Sequence, residues 1–516
     1  MRAPSVLNEV LGPVMRGPSS SHTAGSFRIG RMARDLLGEE PASARFCFDP
    51  GGSLAEVYRQ QGSDRAFAAG LLGFEMTDEA FLDALAVAKE RGVEIRFAVE
   101  PLEVADHPNA VEMHVRGRPG AELSAAAKSV GGGAVEITRI NGWPVRLQGD
   151  AHEILVVADR EELPVVRRVL EAEGALLEPP VVQREGERAL VHVRRTEPFG
   201  GTGRSSLGEQ PGVREVRTVA PVVFVRRGAP SFTSGAEMVA VAGEEGISLG
   251  EVALRYEASL LGMPKQTVIE EIWSRYRVME ASVECGLGAE LPSMQLLRPS
   301  AGSVYRAEAE GKLAAGGLHA RAAARAMAVM HVNGGMGVIC AAPTAGSAGV
   351  IPGAVVSMVE EWDLGRRDTA MALLAAAAAG VVIGARATFA AEVAGCQVEI
   401  GAAGAMAAAA VVEAVGGCAR RAADAAAIAL QNSMGSICDM VQGVVEIPCH
   451  TRNAAAASGA FVCADLILGG YENPIPLDET VDAVYATGRM LPRALKCTAL
   501  GGLADTPSAR RLPRLR

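Results

Sequence analysis

No Cys-x-x-Cys pair occurs among the nine cysteines of this 516-residue chain, so zinc ribbons and ferredoxin-type clusters lose their usual ligand spacing. Lysine is scarce. Only Lys89, Lys128, Lys265, Lys312 and Lys496 occur, and none lies beside a phosphate-binding loop. A pyridoxal-phosphate enzyme, which needs a Schiff-base lysine in that setting, is thereby disfavoured. No long apolar run lies near the start: Arg2 is followed by Pro4, Asn8 and Glu9, which does not read as a secretion signal. The nearest approach to a membrane span, Ala370 to Ala385, is shorter than the ~20 residues a bilayer requires and ends at Arg386. Positive charge is in deficit. A net charge of −10 argues against nucleic acid or an anionic membrane as partner. An odd cysteine count without a secretion signal points to a reducing, cytoplasmic setting and no disulfide framework.

What remains is a chain with 49% apolar and 21% charged residues, long enough for several cores. Residues 1–150 read as an α+β domain. Its predicted strands are Arg45–Phe48, Glu94–Val99, Val111–Val115 and Ala134–Ile140, the last after a Gly131-Gly132-Gly133 turn. Ala66–Leu72 and Glu79–Lys89 read as helices. Residues 151–225 follow the order strand, helix, strand, strand, helix, strand of a ferredoxin-like βαββαβ module, with Gly200–Gly203 expected as a loop. Residues 226–236 form a Gly- and Pro-containing linker. Residues 237–516 are Ala-rich and predicted to be a largely all-α domain, with a basic, frayed tail from Ser508.

Two groups of residues carry chemistry. Cys396 follows a glycine, Cys449 follows a proline, and Cys438 lies between them in sequence. Three thiolates can hold three irons of a four-iron–four-sulfur cluster and leave the fourth open as a Lewis acid. Taken singly, each cysteine reads better as a small core hydrophobe, the commoner fate, and Cys47, Cys285, Cys340, Cys418, Cys463 and Cys497 are read that way. The second group is Gly17-Pro18-Ser19-Ser20-Ser21-His22-Thr23-Ala24-Gly25. Its hydroxyls and backbone N–H groups suit a carboxylate, and His22 suits proton transfer near neutral pH. One of these hydroxyls is also expected to cap the helix that begins near Phe27. His107-Pro108-Asn109 is either a second polar contributor or a surface turn. Arg452 is placed to pair with a carboxylate, and Asn453 to join it or to cap a helix. Pro343 to Gly349 is a small-residue loop open to a close-approaching ligand or to plain helix packing.

Together these motifs resemble the bacterial iron–sulfur-dependent L-serine dehydratases (L-serine ammonia-lyases). The resemblance covers nearly the whole chain. Residues 1 to about 225 are similar to the β chain of the two-subunit form with its ACT domain, and residues from about 235 are similar to the α chain, so the chain resembles their fusion. The resemblance implies a cluster on Cys396, Cys438 and Cys449. It implies His22 or His107 as the base. Ser19, Ser20, Ser21, Thr23, Asn109, Arg452 and Asn453 are implied to bind substrate. The implied reaction turns L-serine into pyruvate and ammonia. The expected partners are a small amino acid and further copies of the chain in a homodimer or larger homo-oligomer.

Arg386, Met440 and Gln442 depart from the family's pattern near the expected site. They point to altered preference among L-serine, L-threonine and L-cysteine. Gln61-Gly62-Ser63-Asp64 and Glu161-Glu162-Leu163 also depart, and the latter weakens the expectation of an amino-acid effector site. An iron–sulfur lyase on another β-substituted amino acid and a non-enzymatic amino-acid sensor are the rival readings.

Overall fold

The computed structural model describes residues 3–288, 291 and 294–515. The chain opens with an apolar segment that inserts into the helical half. The carboxylate of Glu257, itself buried, accepts hydrogen bonds from Ser5 Oγ at 2.5 Å and from the N–H groups of Val6 and Leu7 at 2.8 and 2.9 Å. Arg275 Nε donates to the Leu11 carbonyl at 2.6 Å. Val6, Leu7, Val10 and Leu11 join the main core of the helical half.

Strand β1 (Val14–Arg16) pairs antiparallel with a strand more than three hundred residues downstream and leads into the hydroxyl-rich loop. Helix α1 (Gly25–Leu37) follows and ends at Gly38 in the left-handed region. Then come β2 (Pro41–Phe48), α2 (Ser53–Val57), α3 (Ser63–Leu72), α4 (Ala84–Glu90) and β3 (Glu94–Val99). The meander β4 (Ala110–Gly117), β5 (Glu122–Gly131), β6 (Ala134–Ile140) and β7 (Trp143–Leu147) completes a six-stranded sheet. Its order is β3-β2-β4-β5-β6-β7, with only the β2–β3 pair parallel. Residues alternate in burial along β4 as expected when one face meets a core and the other meets water. The buried face packs on α1 and α3 through Ile29, Met32, Phe46, Phe67 and Met113.

The next unit runs β8 (His152–Asp159), α5 (Leu163–Ala172), β9 (Val181–Glu185), β10 (Arg188–Arg195), α6 (Gly201–Gly208) and β11 (Val213–Val219). These strands form an antiparallel sheet in the order β11-β8-β10-β9. One face buries Ile154, Val156, Val191 and Val193 against α5 and α6. The other packs Leu155, Val157 and Leu190 onto the first sheet's core, so the two units share an apolar seam. The stretch Gly200–Gly203, expected as a loop, instead starts α6, whose Leu207 is buried. Packing of that leucine outweighs the low helix propensity of the glycines.

Residues 221–234 cross without regular structure to the helical half. There α7 (Gly235–Glu245), α8 (Leu249–Leu261), α9 (Lys265–Leu287), α10 (Ala301–Ala309) and α11 (Leu318–Gly334) precede β12 (Val338–Cys340), the partner of β1. Helices α12 (Val350–Trp362), α13 (Arg366–Arg386), α14 (Ala391–Ala394), α15 (Ile400–Ala414), α16 (Ala419–Ser433), α17 (Cys449–Leu468) and α18 (Leu477–Met490) follow. Ala375 to Ala379 on α13 and Ala405 to Ala410 on α15 have no exposed surface. Small side chains let these helices approach closely, and their apolar runs are central core. Residues 508–515 are docked, not frayed, and Arg516 lies outside the described residues. A short helix, α19, spans Pro507–Arg511, and Leu515 N–H donates to the Gln295 carbonyl at 2.7 Å.

Candidate active site

The hydroxyl-rich loop is a five-residue π-helical turn, Ser20–Ala24, that feeds directly into α1. Ser19 caps this turn by accepting from His22 N–H at 3.2 Å, whereas α1 has Ala24 at its N-cap and no side-chain cap, so the expected hydroxyl cap falls on the turn and not on the helix. The loop is clamped to the helical half: Asn333 Nδ2 donates to the Pro18 carbonyl at 3.0 Å, and Gly17 N–H donates to the Gly337 carbonyl. Thr23 Oγ1 donates to the Gln61 carbonyl at 2.8 Å, which spends its hydroxyl inside the fold. Ser19, Ser20 and Ser21 line a cavity between the two halves.

The opposite wall of that cavity carries Cys396, Cys438 and Cys449, all buried. Cys396 begins the turn after α14, Cys438 lies in the loop after α16, and Cys449 is the first residue of α17. Hydrogen bonding with the Cys438 thiol, then burial, push the Cys396 thiol well above its ordinary range. Burial, then the nearby Cys396, do the same to Cys449. Cys497 joins the same cavity, and its N–H donates to the Cys438 carbonyl at 3.0 Å. Cys497 is packed in the core, as its sequence reading expects, and also faces the cavity. It lies far from the other three in sequence and shares no motif with them.

Asn453 pins the thiol-bearing helix to the small-residue loop. Its Nδ2 donates to the Gly346 and Cys449 carbonyls at 2.8 and 2.9 Å, and its Oδ1 accepts from Gly349 N–H at 3.1 Å. Gly346 leaves room there for a side chain. A Cβ on it would lie 1.7 Å from Oε1 of Glu399, a cavity-wall carboxyl that burial pushes up to about 7. Arg452 stands behind the thiols. Its Nη1 donates to the Ile437 carbonyl at 2.8 Å, pairs with Asp439 Oδ1 at 3.0 Å and lies 4.0 Å from Cys396 Sγ. It lines a separate surface groove between α15, α16 and α17, so its place is to tie the cysteine segments together and not to face the serine hydroxyls.

Glu392 is the residue that sequence reading missed. It sits on α14, buried, on the cavity wall. Its Oε1 accepts from the Ser21 hydroxyl and from Asn109 Nδ2 at 3.1 Å, and it lies 3.4 Å from His22 Nδ1. Burial alone would raise this carboxyl, but the His22 charge and the bonds from Ser21 and Asn109 outweigh it and hold it below its ordinary range. Burial lowers His22 below 6.5, against the opposing charge of Glu392. His22, Glu392 and Cys497 place one nitrogen, one oxygen and one sulfur within 4.8 Å of one another. The first half approaches Glu392 through Gly131, whose φ of +104° brings its backbone against Ala390. His107 holds the turn before Asn109, with its Nδ1 accepting Asn109 N–H at 3.1 Å.

The family departures fall into two groups. Met440 and Gln61 line the cavity. Gln442 points away, and its Nε2 donates to the Leu512 carbonyl at 2.7 Å. Arg386 pairs with Asp482 and Asp478.

Residues 244–504 match the family model of the serine dehydratase alpha chain. A probable L-serine dehydratase alpha chain of Bacillus subtilis is 38% identical over 283 residues, covering 55% of this chain and 94% of the relative. The probable beta chain of the same organism is 46% identical over 149 residues, 29% of this chain and 66% of the relative. An L-serine dehydratase of Streptomyces coelicolor is 28% identical over 497 residues, 95% of this chain and 96% of the relative. Beta-like and alpha-like halves thus occur here on one polypeptide, as in the Streptomyces relative, and the chain belongs to the serine dehydratase alpha-chain family.

Proposed function

We propose that this protein is an L-serine ammonia-lyase that converts L-serine to pyruvate and ammonia with a four-iron–four-sulfur cluster on Cys396, Cys438 and Cys449. The observation that carries the reading is convergence. Three thiols from three segments of the helical half face the same buried cavity as three serine hydroxyls from the other half. The residues fit the group. The donors are soft, buried and anionic once metallated, and Arg452 stands beside one of them as a counter-charge. Bound there, the cluster would supply a Lewis-acidic iron for the substrate hydroxyl.

The chain's own residues do the rest. The Ser20 hydroxyl holds the substrate carboxylate, and Ser19 and Ser21 join it as their hydrogens turn from His22 Nδ1 and Glu392 to the incoming anion. Glu392, a buried carboxylate on the same wall, balances the substrate ammonium and the charge of a protonated His22. His22 takes the α-proton, and Asn109, positioned by His107, fixes Glu392. Burial of the cavity between the halves excludes water until dehydration yields the aminoacrylate. This species tautomerises to an imine and hydrolyses to pyruvate and ammonia. Residues 151–225 serve as a ferredoxin-like ACT module in this reading, and the enzyme works in the cytoplasm as a homodimer or larger homo-oligomer in amino-acid degradation. Anaerobic reconstitution with iron and sulfide tests it. The expected result is absorption near roughly 400 nm together with pyruvate formed from L-serine. A reconstituted protein that forms no pyruvate overturns the reading.

A further inference from the structure

The two ring nitrogens of His22 have different neighbours, and the difference fixes where the proton sits. Nε2 lies 3.1 Å from Ser53 Oγ. A serine hydroxyl has one hydrogen, and that of Ser53 goes to the Cys497 carbonyl at 3.2 Å. Toward His22, therefore, Ser53 Oγ presents a lone pair, and Nε2 must carry the hydrogen. On the other side, Nδ1 faces Ser19 Oγ at 3.3 Å, Ser21 Oγ at 3.2 Å and Glu392 Oε1 at 3.4 Å. The Ser21 hydrogen is given to Glu392, and Ser19 Oγ already accepts from His22 N–H, so Ser19 has a hydrogen free for Nδ1. In the neutral ring, Nδ1 holds the lone pair and lies among the serines that wall the cavity.

Both ends of this chain of bonds are held. Ser53 begins α2, and its N–H donates to the Pro108 carbonyl at 2.8 Å. Cys497 belongs to a strap, residues 493–503, that lies late in the sequence and is laid against the site. Cys438 N–H donates to the Leu495 carbonyl, Cys497 N–H donates to the Cys438 carbonyl, and Leu503 N–H donates to Asp439 Oδ2 at 2.8 Å. Cys497 is also a non-glycine residue with φ at +59°, a conformation that persists only where its surroundings impose it.

We propose that Ser53 is a positioning residue that fixes His22 as the Nε2–H tautomer, and that the Cys497 carbonyl on the C-terminal strap orients Ser53, leaving Nδ1 to receive the substrate proton. The inference rests on His22 as the proton acceptor of the proposed lyase. It adds which atom of the ring acts and which distant segment sets it.

The test uses the reconstituted full chain and its Ser53→Ala and Ser53→Thr variants. Ser53→Ala is expected to lower kcat for L-serine by at least roughly 10-fold, since a misdirected imidazole loses base function. KM should stay within about 2-fold, because Ser53 does not touch the substrate, and iron content should not change. Ser53→Thr, which keeps the hydroxyl, is expected to recover most of the loss. Nitrogen-15 spectra of ring-labelled histidine read the tautomer with no substrate present, with His22→Gln assigning the signal by difference. Wild type should show Nε2–H at His22, and Ser53→Ala should show a mixture. An Nδ1–H pattern in wild type, or wild-type kcat in Ser53→Ala, overturns the proposal. Because the spectra need no turnover, a wild type inactive on L-serine would count against the activity alone.

Discussion

Glu392 Oε1 lies 3.4 Å from His22 Nδ1, with the carboxylate supplied by the helical half and the imidazole by the sheet half. A proton taken up at Nδ1 would therefore arrive beside a buried negative charge. Glu392→Gln keeps the shape and removes that charge. It should lower kcat at least roughly 10-fold, in line with groups that support a general base, and leave iron content unchanged. Iron loss in this variant would assign Glu392 to cluster binding.

The pH dependence of His22 has a definite direction. Burial is the largest influence and lowers its pKa below 6.5, so the ring is neutral at pH 7 and protonates only in more acidic solution. The acid limb of kcat/KM should fall below pH 6.5. Glu392 opposes this lowering and His107 adds to it. Glu392→Gln should therefore move the limb further down. Movement upward would exclude His22 as the titrating base.

Alanine at Cys396, Cys438 or Cys449, one at a time, should deplete iron and the visible absorption together. Alanine at the exposed Cys285 and Cys418 should change neither. Anaerobic iron and sulfide counting distinguishes the two sets, and a full complement in Cys438→Ala would end the assignment.

Substrate preference should follow Met440 and not the other two departures. Met440→Ala enlarges the cavity wall and is expected to raise kcat/KM for L-threonine relative to L-serine. One methylene is worth ~1–3 kcal/mol in such a pocket. Gln442→Ala and Arg386→Ala should leave the ratio unchanged, since their side chains engage the C-terminal tail and α18. Competition assays with the two amino acids decide it.

A methyl group at Gly346 must displace Glu399 or the loop that Asn453 holds. Gly346→Ala should cost activity more than about 10-fold, in keeping with the sensitivity of catalysis to ~1 Å displacements, while circular dichroism stays that of wild type. Normal turnover would show that Glu399 has no part in the site.

Much of the fold was legible where side-chain period and β-branching agree. Glu94–Val99 and Ala134–Ile140 were read with the limits the structure has. Strand β5 was not read, because its centre is Ala125-Ala126-Ala127, which carries no strand signal and pairs only because its neighbours do. The hydroxyl loop and the three cysteines were legible as motifs. Glu392 was not: a single carboxyl in an Ala-rich stretch looks like a solvated charge until the fold buries it. Arg452 and Gln442 were near the right residues in sequence, but sequence adjacency does not give side-chain direction, and both point away from the cavity.

Residues 221–234 join halves that relatives such as those of Bacillus subtilis carry as separately named alpha and beta chains. A covalent bridge changes the order of the assembly reaction. Two separate chains must find each other at whatever concentration the cell maintains, and they fall apart on dilution. Tethered halves meet at an effective concentration on the order of millimolar whatever the amount of protein. The shared cavity then forms with a stoichiometry that cannot drift, and its formation becomes a first-order event within one molecule.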